Sequence, residues 1–219
     1  MIYFLYNKIE RNDNMNVGFD IDGILTKDGC GIKKEKEVKD WKYFLENYLN
    51  KKLNRNNNSY NFAEAYDFKE EKLINFFNNE MVNIIPKFTF NKSMLNIANF
   101  ILDKNQDNNI YIITARENRK DIKRATIKWL NKHQFPYHNI YFSKQKGKLA
   151  KGLNIKYFFE DNIEHARKLS QKGIKICMLG KYHNQPFNNP NHPAFLFEND
   201  SNRLYYRFIK HLNKKEEYL

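Results

Sequence analysis

NVGFDIDGILT, residues 16–26, opens as an apolar run and closes on two acids and a glycine. Val17, Gly18 and Phe19 suit a buried strand. Asp20 and Asp22 do not, because residues i and i+2 of a strand share one face. Two ionised carboxylates that close raise each other's proton affinity. The chain avoids the encounter if it turns after Ile21, which Gly23 permits. Otherwise the cost is relieved by a hard divalent cation held by oxygens, or by one acid that stays protonated.

Outward from this stretch, short apolar runs alternate with helical patterns. NIYIIT (109–114), NIYF (139–142), KYFFE (156–160) and IKICML (174–179) read as further strands. Helical spacing of apolar residues runs through 92–104, 118–133 and 163–172, with Gly173 placed to end the last of these in a left-handed cap. Strands alternating with helices predict an α/β protein: a three-layer, Rossmann-like parallel sheet covered on both faces. Ligands of such sheets bind outside the carboxyl ends of the strands. Three strands end there in chemically capable residues: Asp20 and Asp22, Thr114, and Glu160 and Asp161.

The interval between the first two strands is too long for one crossover. Residues 28–85 are helical in pattern and rich in aromatics, and we expect them to form a small helical cap inserted after the first strand. The core would then comprise 1–27 and 86–219. Residues 1–14 are expected to be a dispensable extension or an added edge strand from IYFLY.

A carboxylate can attack phosphorus to give an acyl phosphate. A second acid can protonate the departing alkoxide and later deprotonate the attacking water. Magnesium would offset the charge of nucleophile and phosphate together.

The residues at the strand ends resemble a known family. DIDGILT is similar to the first motif of the haloacid dehalogenase superfamily, Asp-x-Asp-Gly-x-(Thr/Leu). IYIITAR is similar to its second motif and YFFEDN to its fourth, in the same order and at matching spacing. The resemblance covers roughly residues 15–187. Within the superfamily the details are most similar to the 5'(3')-deoxyribonucleotidase-like group. They include TARENRKDIKRATIKWLNKHQFPYHNIYFS, a following lysine, and EAYDF (64–68).

The resemblance implies roles. Asp20 would be the nucleophile. Asp22 would be the acid/base, its backbone carbonyl contributing a metal ligand. Thr114 would hydrogen-bond the transferring phosphoryl group, and a lysine would stabilise the same charge. Asp161 would bind Mg²⁺ directly, with Glu160 supporting it through water or as the alternative ligand. Of Lys144, Lys146, Lys148 and Lys151, Lys146 fits best, fifteen positions before Asp161, with Lys148 next.

Arg116 stands at the mouth of the expected site. Its fork could hold a phosphate or a nucleotide edge, or pair with Glu117 or an acid of the cap. Phe44, Tyr48, Tyr66 and Phe68 are candidates to stack on a base, with Phe44 and Tyr66 taken as substrate-binding. Asn162 is expected to cap the following helix. His165, His183 and His192 have no spacing that argues for a metal, and Lys27 and Asp28 mark the hinge.

Composition bounds the rest. The 219 residues carry 38 Lys and Arg against 25 Asp and Glu, a formal charge of +13. That balance suits an anionic substrate. It also leaves nucleic acid as a partner that is not favoured, because the lysines are spread along the chain. No run of 18 apolar residues predicts a membrane span, and the start lacks the basic leader and cleavage site of a signal peptide. Cys30 and Cys177 are far apart and read as reduced thiols in the cytoplasm. The expected activity is Mg²⁺-dependent hydrolysis of a small phosphate monoester, with a nucleoside (deoxy)monophosphate favoured. A sugar phosphate, a nucleic-acid 3'-phosphate end, or a non-catalytic phosphate-binding module are the alternatives. A homodimer is compatible with all of these.

Overall fold

The computed structural model describes residues 14–27, 38–54, 59, 61–185 and 192–214. The expected edge strand at IYFLY, Cys30, Asp28 and the start of the cap at 28 lie outside the described residues.

Six strands form one parallel sheet: β1 (Asn16–Phe19), β2 (Asn109–Thr114), β3 (Asn139–Phe142), β4 (Ile155–Glu160), β5 (Lys175–Leu179) and β6 (Ala194–Glu198). Their order is β3-β2-β1-β4-β5-β6, so β1 lies between β2 and β4 where the winding reverses. This register sets the carboxyl ends of β1, β2 and β4 side by side, with Phe19 opposite Ile112 and Phe159.

Helices cover both faces. α4 (Lys92–Lys104), α5 (Lys120–Lys132) and α8 (Ser201–Lys214) bury Met94, Ile97, Trp129 and Phe208 against Phe19 and Phe159 on one face. α6 (Lys146–Gly152) and α7 (Ile163–Ser170) bury Ala150, Ala166 and Leu169 against Phe158 and Ile176 on the other. The alternation along KYFFE therefore sends Phe158 and Phe159 into different cores. The expected three-layer α/β architecture is present. Gly173 ends α7 with φ +80. β6 and α8 lie beyond the strands and helices read from the sequence.

Strand β1 stops sooner than the apolar run suggests. The Asp20 N–H still donates to the Phe159 carbonyl, 3.0 Å away. The chain then folds into a wide turn, in which the Thr26 N–H returns to the Ile21 carbonyl at 2.9 Å and the Gly23 N–H donates to Thr26 Oγ1 at 2.8 Å. Gly23 takes φ +77, a conformation costly for any residue with a Cβ. Ile21, Ile24 and Leu25 are buried and fix the turn to the core.

Between this turn and α4 run α1 (Trp41–Leu49), α2 (Phe62–Ala65) and α3 (Glu70–Ile84). Asp40 caps α1, its Oδ1 accepting from the Tyr43 N–H at 2.8 Å, which fixes Trp41 as the first helical residue. The chain enters and leaves this helical segment at one place. Thr26 pairs with Phe90 in an antiparallel bridge, and the Lys27 N–H donates to the Thr89 carbonyl at 2.7 Å. Among the described residues no helix is long and apolar enough to cross a membrane.

Candidate active site

The wide turn separates the two acids of DIDG. Asp20 is 6 % exposed and faces β4, whereas Asp22 faces the helical segment. Lys146, the first residue of α6, is nearly fully buried. Its Nζ lies 2.9 Å from Asp20 Oδ2 and 2.8 Å from Glu160 Oε2. Lys148 is exposed. The helix register separates the two lysines, for position 146 points its stem inward beneath the strand ends and position 148 does not.

Glu160 is wholly buried and both its oxygens are engaged. Oε1 accepts from the N–H groups of Asp161 (3.2 Å) and Asn162 (3.0 Å), and Oε2 accepts from Lys146. Asn162 caps α7 as expected, accepting from the N–H groups of Glu164 and His165 at 2.9 and 3.0 Å.

Electrostatics follow from this packing. Burial drives the Asp20 carboxyl above the usual aspartate range. Lys146 opposes that shift, while Glu160 and Asp22 add to it. Burial would raise Glu160 as well, but Lys146, helped by His165, holds it below the ordinary range. Burial works against a charged Lys146, yet the two carboxylates outweigh it and keep the ammonium.

Asp20, Glu160 and Asp161 each offer a carboxylate oxygen within 4.8 Å of the others. Asp20 Oδ1 is buried with no hydrogen-bond partner among the described residues. An orphaned, buried carboxylate oxygen beside a second acid is the kind of donor set that suits a hard cation. Gly23 brings the turn close to this cluster, for a Cβ there would collide with the Asp161 carboxylate.

Asp22 meets a different set of groups. Arg116, on the loop after β2, donates from Nε to Asp22 Oδ2 at 2.9 Å and from Nη2 to Oδ1 at 2.7 Å. Its Nη1 donates to Thr126 Oγ1 on α5 at 3.1 Å. The Trp41 Nε1 adds a bond to Asp22 Oδ1 at 3.2 Å. Among the described residues Arg116 pairs with Asp22 of the wide turn, not with Glu117 or an acid of α1–α3; Glu117 pairs with Arg119, at 3.5 Å. Thr114 ends β2 almost fully buried, and its Oγ1 accepts from the Arg116 N–H at 3.3 Å.

These groups border a cavity of about 700 Å³. Asp20, Asp22 and Asp161 lie on its sheet side. Trp41, Phe62, Tyr66, Leu73, Phe77 and Met81, from α1–α3, form an apolar wall. Tyr66 is therefore on the cavity, but Phe44 is not. Phe44 is buried edge-on against Phe88, with ring centroids 5.3 Å apart, and serves the packing of the helical segment. Tyr48 packs on Phe76 at 5.3 Å and is likewise off the cavity.

His165 and His183, whose spacing argues for no metal, border the cavity, as does Lys181, which carries no motif of its own. His183 Nε2 lies 3.2 Å from the Asp161 carbonyl oxygen, which also accepts from Asn184 Nδ2. Asn184 Nδ2 donates in addition to the Leu179 carbonyl at 3.0 Å, joining the ends of β4 and β5. The signal was present: LGKYHN follows the apolar core of β5, at the same edge as the acids.

No protein-family model matches the chain. It is 29 % identical over 190 residues to a nucleotidase from Clostridium acetobutylicum, covering 82 % of this chain and 87 % of the relative. A haloacid dehalogenase-like family hydrolase from Streptococcus pneumoniae superposes with a TM-score of 0.59 at 12 % identity, over 89 % of this chain and 98 % of its own. A HAD-family hydrolase from Deinococcus radiodurans R1, solved with bound phosphate and sodium, gives 0.57 at 14 % identity, over 90 % and 96 %. The chain thus shares the fold of these haloacid dehalogenase-like hydrolases, and it is similar in sequence to a nucleotidase.

Proposed function

We propose that the protein is a Mg²⁺-dependent phosphate monoesterase that works through an aspartyl-phosphate on Asp20, with nucleoside monophosphates as its substrate class. One observation carries this reading. Asp20 has one oxygen tethered by Lys146 and the other unpartnered, at the sheet end of a cavity with an apolar opposite wall.

In this reading an Asp20 oxygen attacks phosphorus and the P–O ester bond breaks. The bonding pair leaves with the ester oxygen, which takes a proton from Asp22 to become the alcohol. A water oxygen then attacks the same phosphorus while Asp22 accepts its proton. The P–O bond to Asp20 breaks, and carboxylate and inorganic phosphate are released. Lys146 and Thr114 stabilise charge on the phosphoryl oxygens. Asp20 and Asp161 would hold Mg²⁺ with the Asp22 carbonyl, and Glu160, whose oxygens are already engaged, would brace Lys146 and the Asp161 backbone. The metal supplies charge compensation for nucleophile and phosphate.

Residues 28–85 act as the cap that gives substrate choice. Its apolar wall offers stacking surface for a base, worth roughly 1–3 kcal/mol per base. The buried Cys177 thiol, pushed up by its surroundings, fits a reducing cytoplasmic setting.

A panel of nucleotides, sugar phosphates and a 3'-phosphorylated oligonucleotide, read by released phosphate with and without Mg²⁺, tests the proposal. Fastest turnover is expected on nucleotides, with near-complete loss in Asp20→Asn and an unchanged fold. An Asp20→Asn variant that keeps a tenth of wild-type turnover would overturn the assignment of the nucleophile.

A further inference from the structure

Arg116 sits in an environment unusual for its type. Its side chain is only 1 % exposed. Three of its nitrogens are committed: Nε and Nη2 to the two oxygens of Asp22, and Nη1 to the buried Thr126 hydroxyl. The guanidinium also lies 5.8 Å from the centre of the Phe88 ring. A fork held on this many sides has little left to offer a substrate. It fixes the plane and both oxygens of the Asp22 carboxylate, whose side chain keeps 25 % exposure on the cavity.

Trp41 adds a second hold on Asp22. Its ring is held against Phe88 (4.6 Å) and Phe77 (5.2 Å), and its Nε1 donates to the Asp22 oxygen that Arg116 Nη2 also holds. Asp22 is thus gripped by the β2–α5 loop and by the first residue of α1 at once. The pair is 94 residues apart in sequence on the Arg116 side and 19 on the Trp41 side.

We propose that Arg116 is a positioning residue for the general acid and base of the reaction, not a substrate ligand, and that Trp41 shares the task. The proposal rests on the reading of Asp22 as acid/base. The bidentate bond orients the carboxylate so that its free edge faces the ester oxygen, and Trp41 makes that orientation depend on where α1 sits.

The test separates proton transfer from everything else by varying the leaving group. A nucleoside monophosphate expels an alkoxide that must be protonated. p-Nitrophenyl phosphate expels a phenolate that needs no proton. Single-turnover release of the alcohol or phenol reads the first step alone. Asp22→Asn, Arg116→Lys and Trp41→Phe are compared with wild type on both substrates, with Mg²⁺ present.

General acid catalysis contributes typically 10²–10⁴-fold. Arg116→Lys should therefore slow the nucleotide about 100-fold and p-nitrophenyl phosphate by less than about 10-fold, the pattern of Asp22→Asn in milder form. KM should stay within about 3-fold for both substrates. Trp41→Phe, which keeps the ring and removes one donor, should show the same selectivity at about 10-fold. A raised KM with unchanged kcat would make Arg116 a substrate ligand and overturn the proposal. Equal losses on both substrates would reduce it to a structural role, with the same effect. If Arg116→Lys does not fold, Trp41→Phe decides alone. If Asp22→Asn itself fails to discriminate between leaving groups, the reading of Asp22 as acid is what fails. If it does discriminate and the other two variants do not, only the positioning proposal falls.

Discussion

Gly23 is seated directly against the Asp161 carboxylate, so that a Cβ on Gly23 would overlap its Cγ and Oδ2. The turn after β1 and the acidic end of β4 touch here because one residue lacks a side chain. Gly23 also takes a positive φ, and the two requirements reinforce each other.

Gly23→Ala is therefore expected to act twice. The backbone conformation alone should cost about 1–3 kcal/mol, and at this chain length each kcal/mol lowers Tm by about 2–4 °C. The added methyl should also displace Asp161. If Asp161 holds Mg²⁺, half-saturation should then need at least about tenfold more metal, the order seen when groups that orient metal ligands are lost. Thermal melts and a Mg²⁺ titration of turnover read the two effects separately. A variant with wild-type metal dependence would show that Asp161 is not a ligand.

Lys146→Met leaves two buried acids, Asp20 and Glu160, without the cation that joins them. Removing one partner of a buried ion pair costs roughly 3–5 kcal/mol. Urea unfolding without metal should register that loss. Mg²⁺ should restore part of it, since a ligand that binds only the folded state stabilises it. Wild-type stability in the metal-free variant would mean that Asp20 is already protonated when unmetallated.

Tyr66 tests the apolar wall. Tyr66→Leu should raise KM for a nucleotide about 5- to 150-fold, the equivalent of roughly 1–3 kcal/mol of stacking. KM for glycerol phosphate, which has no ring to stack, should not change. Tyr66→Phe keeps the ring and should behave as wild type. Equal effects on both substrates would take Tyr66 out of base recognition.

Much of this architecture is legible in the chain. Five short apolar runs fall on β1–β5, and 92–104 matches α4 residue for residue. Four of those runs are visible because β1, β2, β4 and β5 are central parallel strands, covered on both faces and read as apolar stretches; β3 is an edge strand, legible from its Ile-Tyr-Phe composition. β6 and α8 carried weaker signals. AFLFE is an edge strand with an exposed Phe195, preceded by a Pro- and Asn-rich stretch. α8 shows Leu204, Phe208 and Leu212 at intervals of four, a pattern that was open to reading. Lys146 was legible from its distance to the fourth motif. The partnership of Arg116 with Asp22 was not, since nothing local distinguishes an arginine bound to its neighbour from one bound 94 positions away. Phe44 and Tyr66 have the same sequence character, and only three-dimensional packing separates the one in the interior from the one on the cavity.

The pairing of Thr26 with Phe90 has a consequence for how such a fold can be rebuilt. The chain departs from the sheet and rejoins it through neighbouring backbone positions, so the two cut ends of the intervening stretch already lie at hairpin distance. Swapping that stretch for a longer, shorter or unrelated one asks nothing new of the strand connections. The same sheet end, with Asp20 and Asp161 in place, can thus be furnished with a different roof, a route by which one scaffold could receive different ligands.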